Sequence, residues 1–210
     1  ERITCDEEER LRRGFDIQTY FRFAQVQNKP RRKLAAVTAA NGDALLSLTY
    51  APSLDLWRIN HRWKRQAEDI GYRLDMKTGR WVNQAEPAGD GATRGIKSNV
   101  RLYVRDNANS LLIRPPLEFS ENESFLASLQ HALAEAIQET YQVEESELSS
   151  ERLGRGSQRA ILIWEASEGS LGVLHHLAEE RTAVAAIASA ALRRLHFDAQ
   201  GNDLRPGDDE

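Results

Sequence analysis

The chain has 210 residues, of which 40% are hydrophobic and 29% are charged, and its formal net charge at pH 7 is -4. This length can bury a hydrophobic core, as one large domain or two small ones. Since no apolar run reaches about 18 residues, the sequence predicts no membrane-spanning helix. The single cysteine, Cys5, excludes an internal disulfide and a cysteine zinc cluster. We therefore expect a soluble, cytoplasmic protein.

Charge is divided unevenly along the chain. Residues 1–114 hold 21 Lys and Arg against 14 Asp and Glu, whereas residues 115–210 hold 7 against 18. We predict a β-rich basic subdomain over 1–114 and a helical α/β acidic subdomain over 115–210, together forming one compact unit. The two surfaces either serve different partners or only attract each other. Because the only methionine is Met76, we also expect a fragment of a larger protein.

The basic half predicts an antiparallel β-meander. Thr4 and Glu7 have the spacing of a capping box, which predicts a short first helix. Period-two alternation over residues 15–26 predicts a half-buried strand, and Asn41-Gly42 predicts a tight hairpin turn. The other expected features are the end of a strand at Pro52, a strand over 56–63, a hairpin around 77–79, a flexible loop over 86–95, and a hairpin that joins 100–104 to 111–113 across residues 106–109.

The acidic half changes to a helical period. Apolar residues from Phe125 to Tyr141 recur every three or four positions, which predicts a long helix opened by Ser120 or Asn122. The continuous apolar run 160–164 predicts a strand covered on both faces. The remaining expected elements are a loop over 151–158, a helix ending near Glu180, and a helix capped by Thr182 and ending near Leu195. The predicted fold class is α+β, with the meander followed by a small sheet packed with three helices.

Catalytic motifs are absent from the sequence. It contains no phosphate-binding G-x-x-x-x-G-K-[ST] loop, no G-x-G-x-x-G, no G-x-S-x-G and no H-E-x-x-H. ATP hydrolysis, dinucleotide redox chemistry and zinc-protease chemistry are therefore not predicted, and we predict no catalytic and no metal-binding residue. A small hydrolase using Glu165 and Glu168 is a third hypothesis, although their spacing alone does not define a site.

Two short motifs each have two interpretations. The glycines of segment 169–172 can present backbone N–H groups to an anion at a helix start or can simply permit a tight turn. We favour the turn, since the segment has no accompanying lysine. His175 and Glu179 are spaced i, i+4, so they can supply two metal ligands or form a solvated pair. We favour the pair because further ligands are missing.

The strongest functional pattern lies between Trp57 and Arg65. On a strand, Arg58, Arg62 and Lys64 share one face, while Trp57 and Trp63 occupy the other. Cations combined with stacking aromatics hold the backbone of nucleic acid without reading its sequence. Core tryptophans beneath a charged surface are the alternative. The predicted nucleic-acid-binding residues are Arg58, Arg62, Trp63, Lys64 and Arg65, and the basic segments 31–33 and 12–13 add charge to the same half.

Several segments together resemble the MrfA-like zinc-binding (MZB) domain family. This helicase-associated domain occurs at the C-terminus of superfamily-two DEAD/DEAH-type helicases and in DrmB, a partner protein of the DISARM antiphage system. The resembling segments are residues 2–17, 48–50 with 57–60, 128–130 with its helix, 161–172 and 196–198. Where the family tends to have Tyr-Asp and a Gly-Gly-x-Gly turn, this chain has Trp164-Glu165 and a Gly-Ser-Leu-Gly turn.

The resemblance implies a non-catalytic accessory module that contacts DNA, the helicase motor, or both, in phage defence or DNA repair. The implied partners are DNA, single-stranded or duplex, and a motor domain or subunit, with no membrane. The family's zinc-binding cysteines usually follow the last helix, so we expect no cofactor in this chain and zinc in the parent protein through cysteines beyond Glu210. The alternative is a protein-interaction scaffold whose acidic half docks a motor subunit while nothing touches nucleic acid.

Overall fold

A computed structural model describes residues 14–65, 71–82, 95–166 and 172–205 of the chain. The strands are β1 (Phe15–Arg22), β2 (Gln25–Val26), β3 (Lys29–Pro30), β4 (Lys33–Thr38), β5 (Ala44–Trp63), β6 (Tyr72–Asp75), β7 (Trp81–Val82), β8 (Ile96–Val100), β9 (Leu102–Arg114), β10 (Leu148–Leu153) and β11 (Ala160–Glu165). The helices are α1 (Leu117–Ser120), α2 (Glu123–Tyr141), α3 (Val173–Glu179) and α4 (Ala183–Arg194). Within these described ranges, no helix is long and apolar enough to cross a membrane.

The strands confirm the predicted α+β class. The larger sheet has the hydrogen-bonding order β1-β5-β9-β11-β10, and β4 also pairs with β5. A second sheet has the order β7-β6-β8, and β2 pairs with β3 in a short ribbon. The hairpins predicted around residues 41–42 and 77–79 are confirmed, because β4 pairs antiparallel with β5 and β6 with β7. Gly42 has φ +92, a conformation that glycine adopts at little cost.

By its internal contacts, the chain divides into two compact units. One comprises Glu1–Phe21 and Leu56–Asp106, and the other comprises Arg22–Asp55 and Asn107–Glu210. Strands β5 and β9 each contribute residues to both units. The predicted subdomains, 1–114 and 115–210, were drawn from composition and charge, and that division stays a prediction.

The hydrophobic core of the second unit forms where helices cover the sheet. Leu126 of α2, Ile163 of β11, Leu174 of α3 and Ile187 of α4 are almost completely buried in one cluster. The predicted opening of α2 is confirmed at Asn122, whose Oδ1 accepts the Phe125 N–H at 2.9 Å. The predicted buried strand at 160–164 is confirmed as β11, and the two later predicted helices are α3 and α4.

The predicted strand end at Pro52 is wrong. Strand β5 continues from Ala44 through Pro52 to Trp63, although Ser53 has φ +56 and proline lacks a ladder N–H. Two side-chain amides satisfy the backbone at this irregularity. The Ser53 N–H donates to Asn109 Oδ1 at 3.2 Å, and Asn107 Nδ2 donates to the Ser53 carbonyl at 3.1 Å. Side chains of β9 therefore satisfy the backbone of Ser53, directly after the proline.

The predicted hairpin across residues 106–109 is also wrong, because the asparagines of this segment bond to Ser53 of another strand. This segment is the middle of the single strand β9, and Asn107 and Asn109 direct their amides to Ser53 instead of closing a turn. The predicted loop over 151–158 is wrong in its first part, where β10 pairs with β11 up to Leu153 before a 3-10 turn at Gly156–Gln158.

Three predicted features lie wholly or largely outside the described residues. These are the capping box of Thr4 and Glu7, the loop over 86–95 apart from Gly95, and the glycine turn over 169–172 apart from Gly172. Gly172 precedes α3 with φ +72, which is consistent with a glycine-dependent entry to that helix.

Burial in this core makes Leu126 a sensitive position. We expect Leu126→Ala to lower the free energy of unfolding by about 2–5 kcal/mol, because the substitution removes transfer energy and leaves a cavity. Denaturant unfolding followed by circular dichroism measures the change. Leu117→Ala is the matched control, since Leu117 is 74% exposed and its loss is expected to cost less than about 0.5 kcal/mol. Equal losses for the two variants would contradict the described core.

Candidate nucleic-acid interface

The five predicted nucleic-acid-binding residues lie close together in sequence within the first unit. Arg58, Arg62 and Trp63 belong to the second part of β5, and Lys64 and Arg65 follow it directly. Lys64 and Arg65 are exposed, and the Lys64 N–H donates to the Gly14 carbonyl at 3.0 Å. The five residues therefore lie at and just beyond the end of β5, but their side chains have different environments.

Trp63 combines packing with exposure. Its ring centroid lies 4.3 Å from that of Phe15 and 6.0 Å from that of Tyr72, yet the residue remains 37% exposed. The Arg65 guanidinium lies 5.5 Å from the Trp63 ring, within the range of a cation–π contact. Tyr72 donates its hydroxyl to Asn60 at 2.8 Å, and burial raises the pKa of this phenol. Trp63 is thus part of an aromatic cluster and remains partly exposed.

Two of the four predicted cations are engaged by carboxylates. Arg62 Nε lies 2.9 Å from Asp16 Oδ2, and Arg58 Nη2 lies 3.4 Å from Asp106 Oδ2. These partners offset positive charge that the sequence pattern assigns to the surface. Lys64 and Arg65 form no ion pair within the described ranges. The assignment of the five residues to nucleic acid stays a prediction, and the cations within it are not equivalent.

A second basic surface lies in the other unit. Four cations within five residues line a cleft of about 490 Å³, together with Tyr50 and His175. We call this surface the basic cleft. Its lining residues are Val26, Lys29, Pro30, Arg31, Arg32, Lys33, Tyr50, Pro52 and His175. The prediction from sequence missed it as a site, because Tyr50 and His175 are distant in sequence. The cation run at 29–33 was the available signal.

The predicted pair of His175 and Glu179 is confirmed, with an added partner. His175 Nε2 lies 3.2 Å from Glu179 Oε1 and 3.3 Å from Lys33 Nζ, and the Lys33 ammonium also donates to Glu179. The hydrogen bond from Lys33 holds the pKa of Glu179 below its ordinary value. A cation beside the pair disfavours a metal at this position. Across the described ranges, no three His, Cys, Asp or Glu side chains form a group that could hold a metal ion.

Glu165, proposed above as a hydrolase carboxylate, has a structural role in this fold. The residue is 4% exposed, its Oε1 accepts the Leu174 N–H at 3.2 Å, and its Oε2 accepts from Asn109 Nδ2 at 3.2 Å. The carboxylate therefore links the end of β11 to the start of α3. Glu168 lies outside the described residues.

Comparisons with known proteins relate the fold to a helicase. No protein-family model matches the chain, and no curated protein matches it. A solved structure described as "Crystal Structure of DUF1998 helicase MrfA bound to DNA" aligns with a TM-score of 0.51 at 8% sequence identity. The alignment covers 91% of this chain and 23% of that one. The chain therefore shares the fold of a part of a larger helicase chain, spanning about a quarter of its length.

The ion pairs of Glu179 give it a pH-dependent contribution to stability. Because its pKa is lowered below 4.5, the stabilisation is complete above pH 4.5 and is lost as the pH falls through the folded-state value. We expect the difference in Tm between the wild type and Glu179→Gln to be present at about pH 6 and to be smaller at about pH 2. Glu145→Gln controls for the loss of one exposed carboxylate. A Glu179 difference that is equal at both pH values would contradict the assigned ion pairs.

Proposed function

We propose that the chain is a non-catalytic accessory module of a superfamily-two DNA helicase, or of a helicase partner, and that it contacts DNA. The observation that carries this proposal is the shared fold with a DNA-bound helicase over 91% of the chain, at a TM-score of 0.51. The sequence segments that resemble the helicase-associated MrfA-like family point in the same direction. At 8% identity the fold alone transfers, so the activity, DNA contact and partners of the whole helicase are part of the proposal.

The DNA contact is proposed at the segment that follows β5. Lys64 and Arg65 supply exposed positive charge, and the exposed part of the Trp63 side chain offers a surface for stacking. Such contacts attract phosphates and stack on bases of any type, so the proposed binding is sequence-independent and includes single-stranded or duplex DNA. Arg58 and Arg62 contribute only where phosphate replaces Asp106 and Asp16 as their partner.

The proposed partner is a helicase motor, on the same protein or on a separate subunit. The sequence contains no phosphate-binding loop of its own, so unwinding would depend on that motor. Phage defence and DNA repair are the proposed settings, taken from the family resemblance, and so is zinc binding in the parent protein through cysteines beyond Glu210.

A protein-interaction scaffold without DNA contact is the second candidate. The acidic excess of residues 115–210, 18 carboxylates against 7 cations, favours it, because such a surface repels phosphate and suits a basic partner. Capture of a superfamily-two motor that requires the acidic helices, but survives removal of the cations after β5, would favour the scaffold over the DNA-contacting module.

The proposed DNA contact predicts an unequal effect of the four cations. We expect the variant with Arg58, Arg62, Lys64 and Arg65 all replaced by Ala to bind DNA more weakly and with a flatter salt dependence. The Lys64→Ala/Arg65→Ala variant is expected to lower the slope of log affinity against log salt by about 1.4 on single strands and about 1.8 on duplex. The Arg58→Ala/Arg62→Ala variant should change the slope less, because Asp16 and Asp106 already engage these arginines.

Fluorescence anisotropy with labelled single-stranded and duplex DNA, between about 50 and 200 mM salt, measures these slopes. Thermal melts of each variant control for folding. If the wild-type chain shows no salt-sensitive binding to either form of DNA, the DNA-contacting role is wrong.

A further inference from the structure

We propose that the basic cleft of the second unit is a phosphate-binding site that holds the backbone of a DNA strand. The inference rests on the proposed function, since it assumes that the chain contacts DNA. It places an additional contact at Lys29, Arg31, Arg32 and Lys33, outside the segment that follows β5.

Backbone geometry brings the four cations to the lining of the cleft. The ribbon of β2 and β3 turns at Gln27 and Asn28, which have φ values of 51 and 62. The Arg31 N–H then donates to the Ala24 carbonyl at 2.6 Å, which closes the ribbon beside the start of β4. Lys29, Arg31, Arg32 and Lys33 consequently line the same cleft.

Tyr50 and His175 add neutral and titratable groups to the lining of the cleft. Lys33 is the register partner of Tyr50 across β4 and β5, and the Tyr50 ring contacts the His175 ring at 5.2 Å between centroids. Tyr50 is only 4% exposed, and its hydroxyl has no hydrogen-bond partner within the part of the chain that the structure describes. Burial and the nearby Glu165 raise the pKa of this phenol, so it stays protonated and able to donate. A phosphate oxygen in the cleft is a suitable acceptor.

Three of the four cleft cations form no ion pair within the described ranges, whereas two of the four predicted cations between Arg58 and Arg65 do. Over the described ranges, Lys29, Arg31 and Arg32 form no ion pair with a carboxylate, and Arg32 instead lies 5.4 Å from the centre of the Phe23 ring. Arg58 and Arg62, by contrast, already contact aspartates. Cations that line a cleft and lack carboxylate partners concentrate positive potential and attract anions more strongly than cations that are already paired.

The dimensions and lining favour a nucleic-acid strand. A volume of about 490 Å³ falls within the range of about 300–1,000 Å³ of small-ligand sites, which suits one or a few nucleotides. One arginine guanidinium can donate two parallel hydrogen bonds to a phosphate. Val26, Pro30 and Pro52 add apolar surface to the same cleft. A DNA strand likewise alternates charged phosphates with less polar sugars and bases. An acidic peptide is the competing occupant, and the experiment separates the two.

Glu179 acts in this arrangement as an internal competitor for Lys33. The carboxylate accepts from the Lys33 ammonium, so a phosphate that enters the cleft has to share or displace it. Replacing Glu179 by Gln removes one negative charge and releases Lys33. The proposal therefore predicts a variant that binds more tightly than the wild type, which a folding defect cannot produce.

The experiment measures dissociation constants of the full chain for a labelled oligothymidylate strand and for a labelled duplex. We expect Arg31→Ala/Arg32→Ala to weaken binding to the strand about tenfold at about 100 mM salt and to lower the salt slope by about 1.4. Glu179→Gln should tighten binding by about twofold to fivefold through the added net charge. Arg155→Ala/Arg193→Ala removes two exposed arginines of the same unit and is the charge-matched control, with an expected change below about twofold.

The outcomes distinguish the two proposals. If the wild type binds neither form of DNA, the proposed function fails and the cleft fails with it. If the wild type binds DNA while the cleft variant behaves like the charge-matched control, the cleft assignment alone is wrong. Displacement of the strand by poly-glutamate at equal charge concentration as effectively as by unlabelled DNA would also overturn it in favour of an acidic peptide. A loss confined to the single strand, or shared equally with the duplex, supports a phosphate contact and identifies which form of DNA supplies it.

Discussion

The second unit depends on how the chain satisfies its backbone at one irregular point of a long strand. Strand β5 includes Pro52, which has no N–H to donate, and Ser53, which has positive φ. An unsatisfied backbone group at such a position costs about 1–3 kcal/mol when it is buried. The amides of Asn107 and Asn109 provide the missing hydrogen bonds from β9. The irregularity is therefore maintained by side chains of a different strand.

Asn109 also links β9, through further hydrogen bonds, to the helix beside the basic cleft. Asn109 donates to Glu165, and Glu165 accepts the Leu174 N–H at the start of α3. Helix α3 then places His175 in the lining of the cleft and Glu179 on Lys33. A buried carboxylate in this position is acceptable because its oxygens are hydrogen-bonded. Its hydrogen bonds hold the start of the helix that contributes His175 to the cleft.

Local signals predicted the elements that local interactions determine. The turn at Gly42, the cap at Asn122 and the apolar strand β11 each depend on neighbouring residues, and each was predicted correctly. Pro52 and the asparagines of β9 misled the prediction, since they usually mark strand ends and turns. In this fold their hydrogen bonds are made between residues more than fifty positions apart. In this fold tertiary contacts override the turn propensity of proline and asparagine. A single sequence does not reveal such long-range pairings.

Pairing explains why the candidate sites were only partly predictable. The sequence shows how many cations a segment carries, but Asp16 and Asp106 lie more than forty positions from the arginines that they engage. The net charge of a segment therefore overestimates the positive charge available to a ligand, as at Arg58 and Arg62. It also does not indicate whether the charged side chains line a cleft.

The similarity to a helicase at 8% identity has a related physical meaning. A fold is preserved when the volume and patterning of the core are kept, even if most individual residues change. Surface cations and their partners are under no such packing constraint, so they need not be retained with the fold. The function of this chain consequently has to be argued from its own surfaces. The property of those surfaces that bears most directly on the proposed DNA contact is a difference in pairing. Arg58 and Arg62 of β5 contact aspartates, whereas Lys29, Arg31 and Arg32 of the basic cleft form no ion pair within the described ranges.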